Sequence, residues 1–236
     1  MNTLDSKRST ARRHAPLIVT EVILAAFALT AVFRGNGTEA LLPSALFLAA
    51  LVPLPVEKLA AVRIPLRLQL LYALLLLSGP FFGSHLHFYA VWSPWDTVVH
   101  FFSGFLIALA AVFALGVTIR RYRLVLPVWF EAAVVISVSA SVAMLWEFAE
   151  FFADLTIGTS SQLTNTDTMT DMVVGTLSAV IVAAAFILYR QRGWFSAFAG
   201  LLGDPEITRE SASSSPLTVE PRRSATVGDG RHGPTG

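Results

Sequence analysis

Residues 146–171, WEFAEFFADLTIGTSSQLTNTDTMTD, lie between two almost unbroken apolar runs, 132–146 and 172–189. The quoted stretch carries five carboxylates and no lysine or arginine. Apolar runs of this kind approach the roughly 20 residues that an α-helix needs to cross a bilayer. The arrangement therefore predicts two membrane-spanning helices joined by an acidic and polar segment.

The composition of the whole chain indicates a membrane protein. Hydrophobic residues make up 54% of the 236 residues, charged residues make up 14%, and the mean hydropathy is +0.63. A soluble domain has about 25% charged residues, so this chain has too few charges to cover a globular surface. Its apolar runs do not alternate with polar residues, which argues against the strands of a β-barrel. The absence of cysteine excludes disulfides and thiolate metal ligands.

The hydrophobic pattern predicts an all-α, polytopic transmembrane bundle of about six spans. The expected helices are about 16–33, 39–54, 65–82, 95–119, 125–154 and 167–189. We expect residues 15–192 to form the transmembrane domain, residues 193–202 an interfacial segment and residues 203–236 a disordered cytoplasmic tail. Residues 1–14 form a basic arm that resembles the start of a signal peptide. No convincing small-residue cleavage site follows, so we expect the first helix to be retained.

Lysine and arginine residues are concentrated in alternate connections of this six-span scheme. They occur in the N-terminal arm, after the second and fourth helices, and at the C-terminus, whereas the other connections hold only Arg34. Basic residues favour the cytoplasmic side of a membrane. The pattern therefore predicts a cell-membrane protein with both termini in the cytoplasm and with segments 83–94 and 155–166 outside.

Acidic residues fall at the predicted outer ends of the fourth, fifth and sixth helices. Their spacings of three, four or seven residues place the members of each group on one helix face. Small residues, Gly104, Ala143 and Gly175, continue these faces into the membrane, and small residues let membrane helices approach closely. We therefore expect the three helices to pack together and their polar ends to converge. The converging residues are Asp96, His100, Glu147, Glu150, Asp154, Asp167 and Asp171.

These acids lack basic partners nearby in the sequence, since residues 68–119 and 124–189 contain no lysine or arginine. Such a cluster needs protons, open water or a cation. Helix capping alone explains Asp96 and Asp167, which begin helices, but it does not explain the acids at the end of the fifth helix. Carboxylates suit Mg²⁺, Ca²⁺ or Mn²⁺, and an added imidazole admits Zn²⁺ or Fe²⁺. All seven residues are candidate metal ligands, and all except Asp154 are candidates for acid–base catalysis.

Other polar residues favour less specific roles. Glu131, near the opposite end of the fifth helix, is expected to pair with Arg121 or Arg123. His85 and His87 lie among aromatic residues typical of a membrane interface. The basic arm is expected to contact anionic lipid, not nucleic acid. No nucleotide-binding loop, zinc-protease motif or serine-hydrolase motif occurs.

Three short motifs resemble a known pattern. They are Trp95-Asp96-x-x-x-His100-Phe101-x-x-Gly104, Trp146-Glu147-x-x-Glu150 and Asp167-Thr168-x-x-Asp171-Met172. In this order they are similar to the YjdF-like family of uncharacterised bacterial inner-membrane proteins and, more distantly, to VanZ-like proteins. The resemblance covers residues 92–188. It implies a multi-span protein of the bacterial envelope and adds no established activity.

The sequence leaves three functions open, and with them whether the protein is an enzyme. A cation-dependent enzyme would act at the outer leaflet on lipid head groups or on lipid-linked, phosphate-bearing envelope precursors. A cation- or proton-coupled transporter would usually place its site nearer the midplane, at broken helices. A non-catalytic envelope protein would use the acids as a structural cation site or to contact a partner.

Overall fold

Helices of membrane-spanning length account for most of the fold. The computed structural model describes residues 13–159 and 161–202, and these ranges contain helices and connecting segments but no strand. Six helices are long and apolar enough to cross a membrane, namely Ala15–Phe33, Gly37–Ala60, Leu66–His85, Pro94–Tyr122, Val128–Ile157 and Asn165–Arg192. The predicted all-α architecture of six spans is therefore confirmed. The predicted disordered tail and nearly all of the basic arm lie outside the described residues.

Two of the six spans are composite. Helix α1 is Ala15–Phe33; the second span joins α2 (Gly37–Leu51) to α3 (Pro53–Ala60), and the third joins α4 (Leu66–Leu76) to a π-helical segment (Leu77–His85). The remaining elements are α5 (Phe88–Val91), α6 (Pro94–Tyr122), α7 (Val128–Ile157), α8 (Asn165–Arg192), a 3₁₀ turn (Ser196–Phe198) and α9 (Ala199–Leu202).

Prolines explain where these spans differ from the sequence pattern. The sequence predicts that the second helix ends at about residue 54, at Pro53 and Pro55, but Pro53 begins α3, where a missing N–H costs nothing. The sequence also predicts that Gly79 and Pro80 break the last turn of the third helix, but the chain continues there as the wider π-helix up to His85. π-Helical turns are uncommon and occur often at functional sites. This irregular segment contacts α6, where the indole of Trp95 donates a hydrogen bond to the Ser78 carbonyl at 2.9 Å.

The apolar interior has two parts. The larger cluster joins α6, α7 and α8 through residues such as Val112, Val135 and Phe186, which are fully buried. The smaller cluster joins α1, α2 and the third span around Leu24. Segment 193–202 folds against the larger cluster, where the Phe198 ring lies 5.6 Å from that of Phe186. Its assignment as an interfacial segment remains a prediction.

Polar side chains connect the first three spans at one end of the bundle. This end carries the basic segments 57–67, 120–123 and 190–192, and we call it the arginine-rich end. His14 Nδ1 lies 3.0 Å from Gln69 Oε1, and Gln69 donates to the Ile64 carbonyl at 2.9 Å. Glu57 pairs with Arg13 at 3.2 Å and also accepts the backbone N–H of Ile64 at 2.8 Å. Every group in this buried network has a partner within the protein, so the network stabilises the fold without a ligand.

Candidate functional site

Glycine lets α6 and α8 approach so closely that their acidic ends must meet. A Cβ atom added to Gly104 of α6 would collide with the carbonyl oxygen of Gly175 in α8 and lie 2.7 Å from its carbonyl carbon. A Cβ on Gly175 would lie 3.6 Å from that of Ala143, in α7. The three helices therefore touch in one layer of small residues, as the sequence predicted. One helical turn from this layer, the next residues are His100, Asp171 and Glu147.

His100 lies between two carboxylates from different helices. Its Nε2 atom is 3.7 Å from Asp96 Oδ1 and 4.0 Å from Asp171 Oδ2. One ligand atom from each of the three residues falls within 4.8 Å of the others. His100 and Asp171 are buried, with exposures of 8% and 3%. Oxygen ligands at 2.3–2.6 Å around one Ca²⁺ lie up to about 5 Å apart, so this spacing is compatible with ligands of a common cation.

Glu147 adds a buried carboxylate with an unsatisfied oxygen. The residue is 3% exposed, and its Oε1 atom has no hydrogen-bond partner. Gln162 donates to the Glu147 carbonyl at 3.1 Å and is 3.5 Å from Oε2, while Thr168 approaches the same carboxylate. The charge of Glu147 interacts with those of His100 and Asp96. Because an unsatisfied buried oxygen is costly, a hydrogen-bond donor or a cation beside this atom would stabilise it, and none of the described residues supplies one.

Glu150 and Asp167 lie at the rim of the cluster. The indole of Trp146 donates to Glu150 Oε1 at 2.8 Å. The backbone N–H of Asp167 donates to the Thr164 hydroxyl at 3.1 Å, which caps the start of α8. Both carboxylates interact electrostatically with the inner acids. They add negative potential to the cluster and stay partly accessible.

Asp154 is turned towards its own loop. Its carboxylate accepts the hydroxyl of Thr159 and the backbone N–H groups of Ser161 and Gln162, the last two at 2.8 and 2.9 Å. These bonds close the connection that follows α7, where Gly158 takes a left-handed conformation. Asp154, one of the predicted ligands, therefore anchors the loop that follows α7. The structure brings the other six predicted site residues into one region.

Tyr89 belongs to the cluster and was not singled out by the sequence. Its ring packs against Gly83, where an added Cβ would collide with it, and its hydroxyl lies close to Gly79. The hydroxyl interacts with the Asp96 carboxylate as a hydrogen-bond donor. Burial, followed by the charges of Asp96 and Glu150, raises the pKa of the Tyr89 phenol above its ordinary value. The phenol is therefore protonated and donates a hydrogen bond. In the sequence, the four-residue spacing of Gly79 and Gly83 indicates one helix face with space for a large side chain such as this ring.

The opposite end of the three-helix bundle contains an acid that is paired. Glu131 is 1% exposed, and its Oε1 atom lies 3.0 Å from Arg190 Nη2, an ion pair in which neither Glu131 oxygen accepts a hydrogen bond from the described residues. The prediction that Glu131 pairs with Arg121 or Arg123 is therefore wrong. Arg121 instead donates to the Ala60 carbonyl at 3.1 Å. Glu131 and Arg190 begin α7 and end α8, and antiparallel packing of these helices brings them together.

The cluster can attract cations and hold protons, but among the described residues it contains no lysine or arginine that would bind an anion directly. Five carboxylates lie around one imidazole, so even a protonated His100 would leave most of the negative charge uncompensated. A divalent cation would supply the missing positive charge, polarise a bound oxygen and orient a substrate. The donor set of carboxylates with one imidazole suits Mg²⁺, Mn²⁺, Ca²⁺ or Zn²⁺.

Comparison with known proteins places the chain in a family. The family model described as a predicted membrane protein (DUF2238) matches residues 15–192, a range that includes all six spans and every residue of the cluster. No curated protein and no solved structure matches the chain. The chain therefore belongs to the DUF2238 family of predicted membrane proteins.

Proposed function

We propose that this membrane protein binds one divalent cation through Asp96, His100 and Asp171, with Glu147 as a fourth ligand. The observation that carries the proposal is the convergence of three ligand atoms within 4.8 Å beside a buried, unsatisfied Glu147 oxygen. The protein supplies no lysine or arginine from residues 68–119 or 124–189 to neutralise these acids. A bound cation would satisfy the Glu147 oxygen and offset the repulsion among the carboxylates.

We further propose that the cation serves an enzyme that acts on lipid head groups or on lipid-linked, phosphate-bearing precursors. An apolar groove of about 220 Å³ runs between α4 and α6 and is lined by Trp95 and Val99, neighbours of Asp96 and His100 on α6. The groove would hold the acyl part of such a substrate while the cation neutralises its phosphate and lowers the pKa of bound water. Tyr89 would position Asp96, and Glu150 at the rim would accept a proton.

Metal content tests the cation site. Purified protein is expected to carry about one divalent ion per chain, and Asp171→Asn is expected to lose it, because one of the ligands becomes neutral. Glu131→Gln is the matched control: it removes another buried carboxylate, which lies at the far end of α7. We expect it to keep the metal. Elemental analysis after extensive dialysis, together with Mn²⁺ titration, provides the measurement.

Two results would contradict the proposal. Wild-type protein that carries no metal and binds no Mg²⁺, Mn²⁺, Ca²⁺ or Zn²⁺ would show that the acids are protonated or hydrated instead. Equal metal loss in Asp171→Asn and Glu131→Gln would show that the metal depends on folding and not on this cluster. If the metal is present but the loaded protein turns over no lipid phosphate, the enzymatic part fails and the site serves either transport or the stability of the fold.

The π-helical segment favours cation-coupled transport as a second candidate. Transporter sites often lie beside interrupted helices, and the third span is irregular from Leu77 to His85, where Gly83 packs against the site residue Tyr89. Uptake of a solute into vesicles, driven by a proton or sodium gradient and lost in Asp171→Asn, would support this candidate. An enzyme would instead show turnover in detergent without any gradient.

We also propose that both termini lie in the cytoplasm, which places the cluster at the outer leaflet of a bacterial cell membrane. The support is the placement of basic residues at one end of the bundle. The resemblance to YjdF-like and VanZ-like proteins agrees with this location and stays a prediction. Because the chain lacks cysteine, Leu163→Cys can be labelled selectively with an impermeant maleimide in intact cells. Tyr122→Cys should be labelled only after lysis, and the reverse pattern would invert the topology.

A further inference from the structure

A second cavity lies between the first and second halves of the chain. It has a volume of about 550 Å³ and is bounded by α3, α4 and the second half of α6. Its walls are apolar, with Val56, Leu68, Leu106 and Phe113 among the lining residues. Cavities of 300–1,000 Å³ with apolar walls are the usual size of ligand sites. We call this cavity the α3–α6 groove.

The α3–α6 groove is separate from the acidic cluster. On α6 its lining extends from Leu106 to Tyr122, whereas the cluster uses Asp96 and His100 in the first two turns. The nearest lining residue, Leu106, follows His100 by six positions, roughly 9 Å along the helix, and Arg121 at the mouth follows it by 21 positions, roughly 30 Å. An occupant of this groove would therefore bind independently of a cation at the cluster.

Local backbone geometry keeps the groove from closing. Helix α3 ends where Ala61 takes a left-handed conformation, with φ of 51°, and the chain stays extended at Pro65 before α4 begins. Arg121 of α6 donates to the Ala60 carbonyl at 3.1 Å and so ties the end of α3 to α6. The Glu57 network anchors the other side of the same turn. These bonds hold α3 beside α6 without filling the space between them.

Charge at the groove's mouth points to an anionic occupant. Arg121 lines the groove, and Arg120 and Arg123 flank it in the sequence. Glu57 is the one acid in residues 52–72 and 106–123, which include the lining segments. Its carboxylate is already occupied by Arg13 and by the Ile64 N–H. Among the described residues, the guanidinium of Arg121 makes one hydrogen bond, to the Ala60 carbonyl, and it has further donors for a phosphate oxygen.

We propose that the α3–α6 groove binds an anionic phospholipid of the leaflet at the arginine-rich end, with an acyl chain along the apolar walls and the phosphate at Arg121. Basic pockets between membrane helices recognise anionic head groups in this way. The apolar body and the single basic mouth match the two parts of such a lipid. This proposal does not depend on the function proposed for the acidic cluster.

Lipid titration with matched variants tests this proposal. Delipidated full-length protein is titrated with phosphatidylglycerol or phosphatidylcholine of identical acyl chains, and native mass spectrometry counts the lipids retained. Arg121→Gln should weaken phosphatidylglycerol binding roughly fivefold relative to phosphatidylcholine binding, the effect of one basic residue near a membrane surface. Ala114→Trp places an indole in the groove from an exposed position and should weaken binding of both lipids.

Controls separate the groove from the general surface. Ala184→Trp adds an indole at an exposed position of α8 outside the groove, and Arg192→Gln removes an exposed charge at the end of α8. Both should bind like wild type. Thr118→Phe, at another exposed lining position, replaces Ala114→Trp if that variant does not fold.

Three outcomes would overturn the proposal. One is equal weakening by Arg121→Gln and Arg192→Gln, which would show a diffuse charge effect. Another is unchanged lipid binding in the folded groove-filling variant. The third is a change from dimer to monomer in that variant with lipid retention unaltered, which would identify the groove as a surface between two copies of the chain.

Discussion

The two ends of the three-helix bundle bury carboxylates in different surroundings. At the arginine-rich end, Glu131 is buried but paired with Arg190 at 3.0 Å. At the acidic end, Asp171 and Glu147 are similarly buried, and among the described residues the nearest group that can carry an opposite charge is a single imidazole placed between two carboxylates. A carboxylate beside its own arginine is neutralised within the fold, whereas a surplus of carboxylates is stabilised by protons, water or a cation. This contrast supports the proposal that the acidic end binds a cation and that the Glu131 pair is structural.

The largest effect should come from breaking the paired end. Arg190→Ala leaves the Glu131 charge buried without its partner, and breaking a buried pair costs about 3–5 kcal/mol. Unfolding in mixed detergent micelles would measure this loss of stability. The double variant Glu131→Met with Arg190→Met should recover most of it, because an apolar pair of similar volume is often neutral or stabilising. A single variant as stable as wild type would contradict the structural role of this pair.

Gly104 provides a test of the contact that brings the acidic end together. Gly104→Ala would force the Cβ into the Gly175 backbone, which cannot rotate away as a flexible side chain could. We expect a loss of about 3 kcal/mol in stability and a weaker affinity for Mn²⁺, as α6 and α8 separate. Gly175→Ala is the control, since its Cβ would make ordinary contacts at 3.5 and 3.6 Å. Similar behaviour of the two variants would exclude the close approach as the cause.

Asp171→Asn should raise stability when no cation is present and lower it when the cation is bound. In chelator, Asp171→Asn removes one of several repelling carboxylates, whose ligand atom lies within 4.8 Å of that of Asp96, and we expect stability to rise by about 2 kcal/mol, between the Coulomb energies in water and in a less polar medium. With saturating Mn²⁺ the wild type should become the more stable protein, because the cation binds only the intact site. Melting temperatures in both conditions measure the reversal. Destabilisation in both conditions would assign Asp171 to a structural role like that of Glu131.

Sequence periodicity was sufficient for the spans and for much of the cluster, because both depend on residues close together along the chain. Apolar runs fixed six helices, and the four-residue spacing of Asp96 and His100 placed both on the face of α6 that meets Asp171. Periodicity does not predict which side chains pair between helices that are distant in the sequence. Arg190 lies 59 positions after Glu131, and the choice of this arginine over Arg121 depends on how α7 packs against α8.

Tyr89 was missed for a related reason. Its position depends on a π-helical segment that keeps Gly79 and Gly83 facing its ring, whereas the sequence pattern predicts a helix that is broken in its last turn and ends at about residue 82. Because the sequence assigns Tyr89 only to a loop, it does not indicate where the Tyr89 hydroxyl lies. The α3–α6 groove depends likewise on turn geometry around Ala61, which apolar periodicity does not determine.

Removal of the Tyr89 hydroxyl should have the smallest effect on stability. It should still separate the two ends of the bundle, because we expect it to weaken cation binding. Tyr89→Phe keeps the ring in its glycine slot and removes the donor to Asp96, so stability should fall by only about 1 kcal/mol. Affinity for Mn²⁺ should fall at least tenfold, since losing a hydrogen bond to a metal ligand typically has that cost.

The matched control for that variant is Tyr72→Phe. The Tyr72 hydroxyl donates to the Ala49 carbonyl at 2.8 Å, among the first three spans, so its removal should cost similar stability. Isothermal titration with Mn²⁺ then distinguishes the two phenols. Unchanged affinity in Tyr72→Phe with a tenfold loss in Tyr89→Phe would assign Tyr89 to the positioning of a metal ligand. Equal affinities would mean that Tyr89 only packs, and that the acidic end organises Asp96 without it.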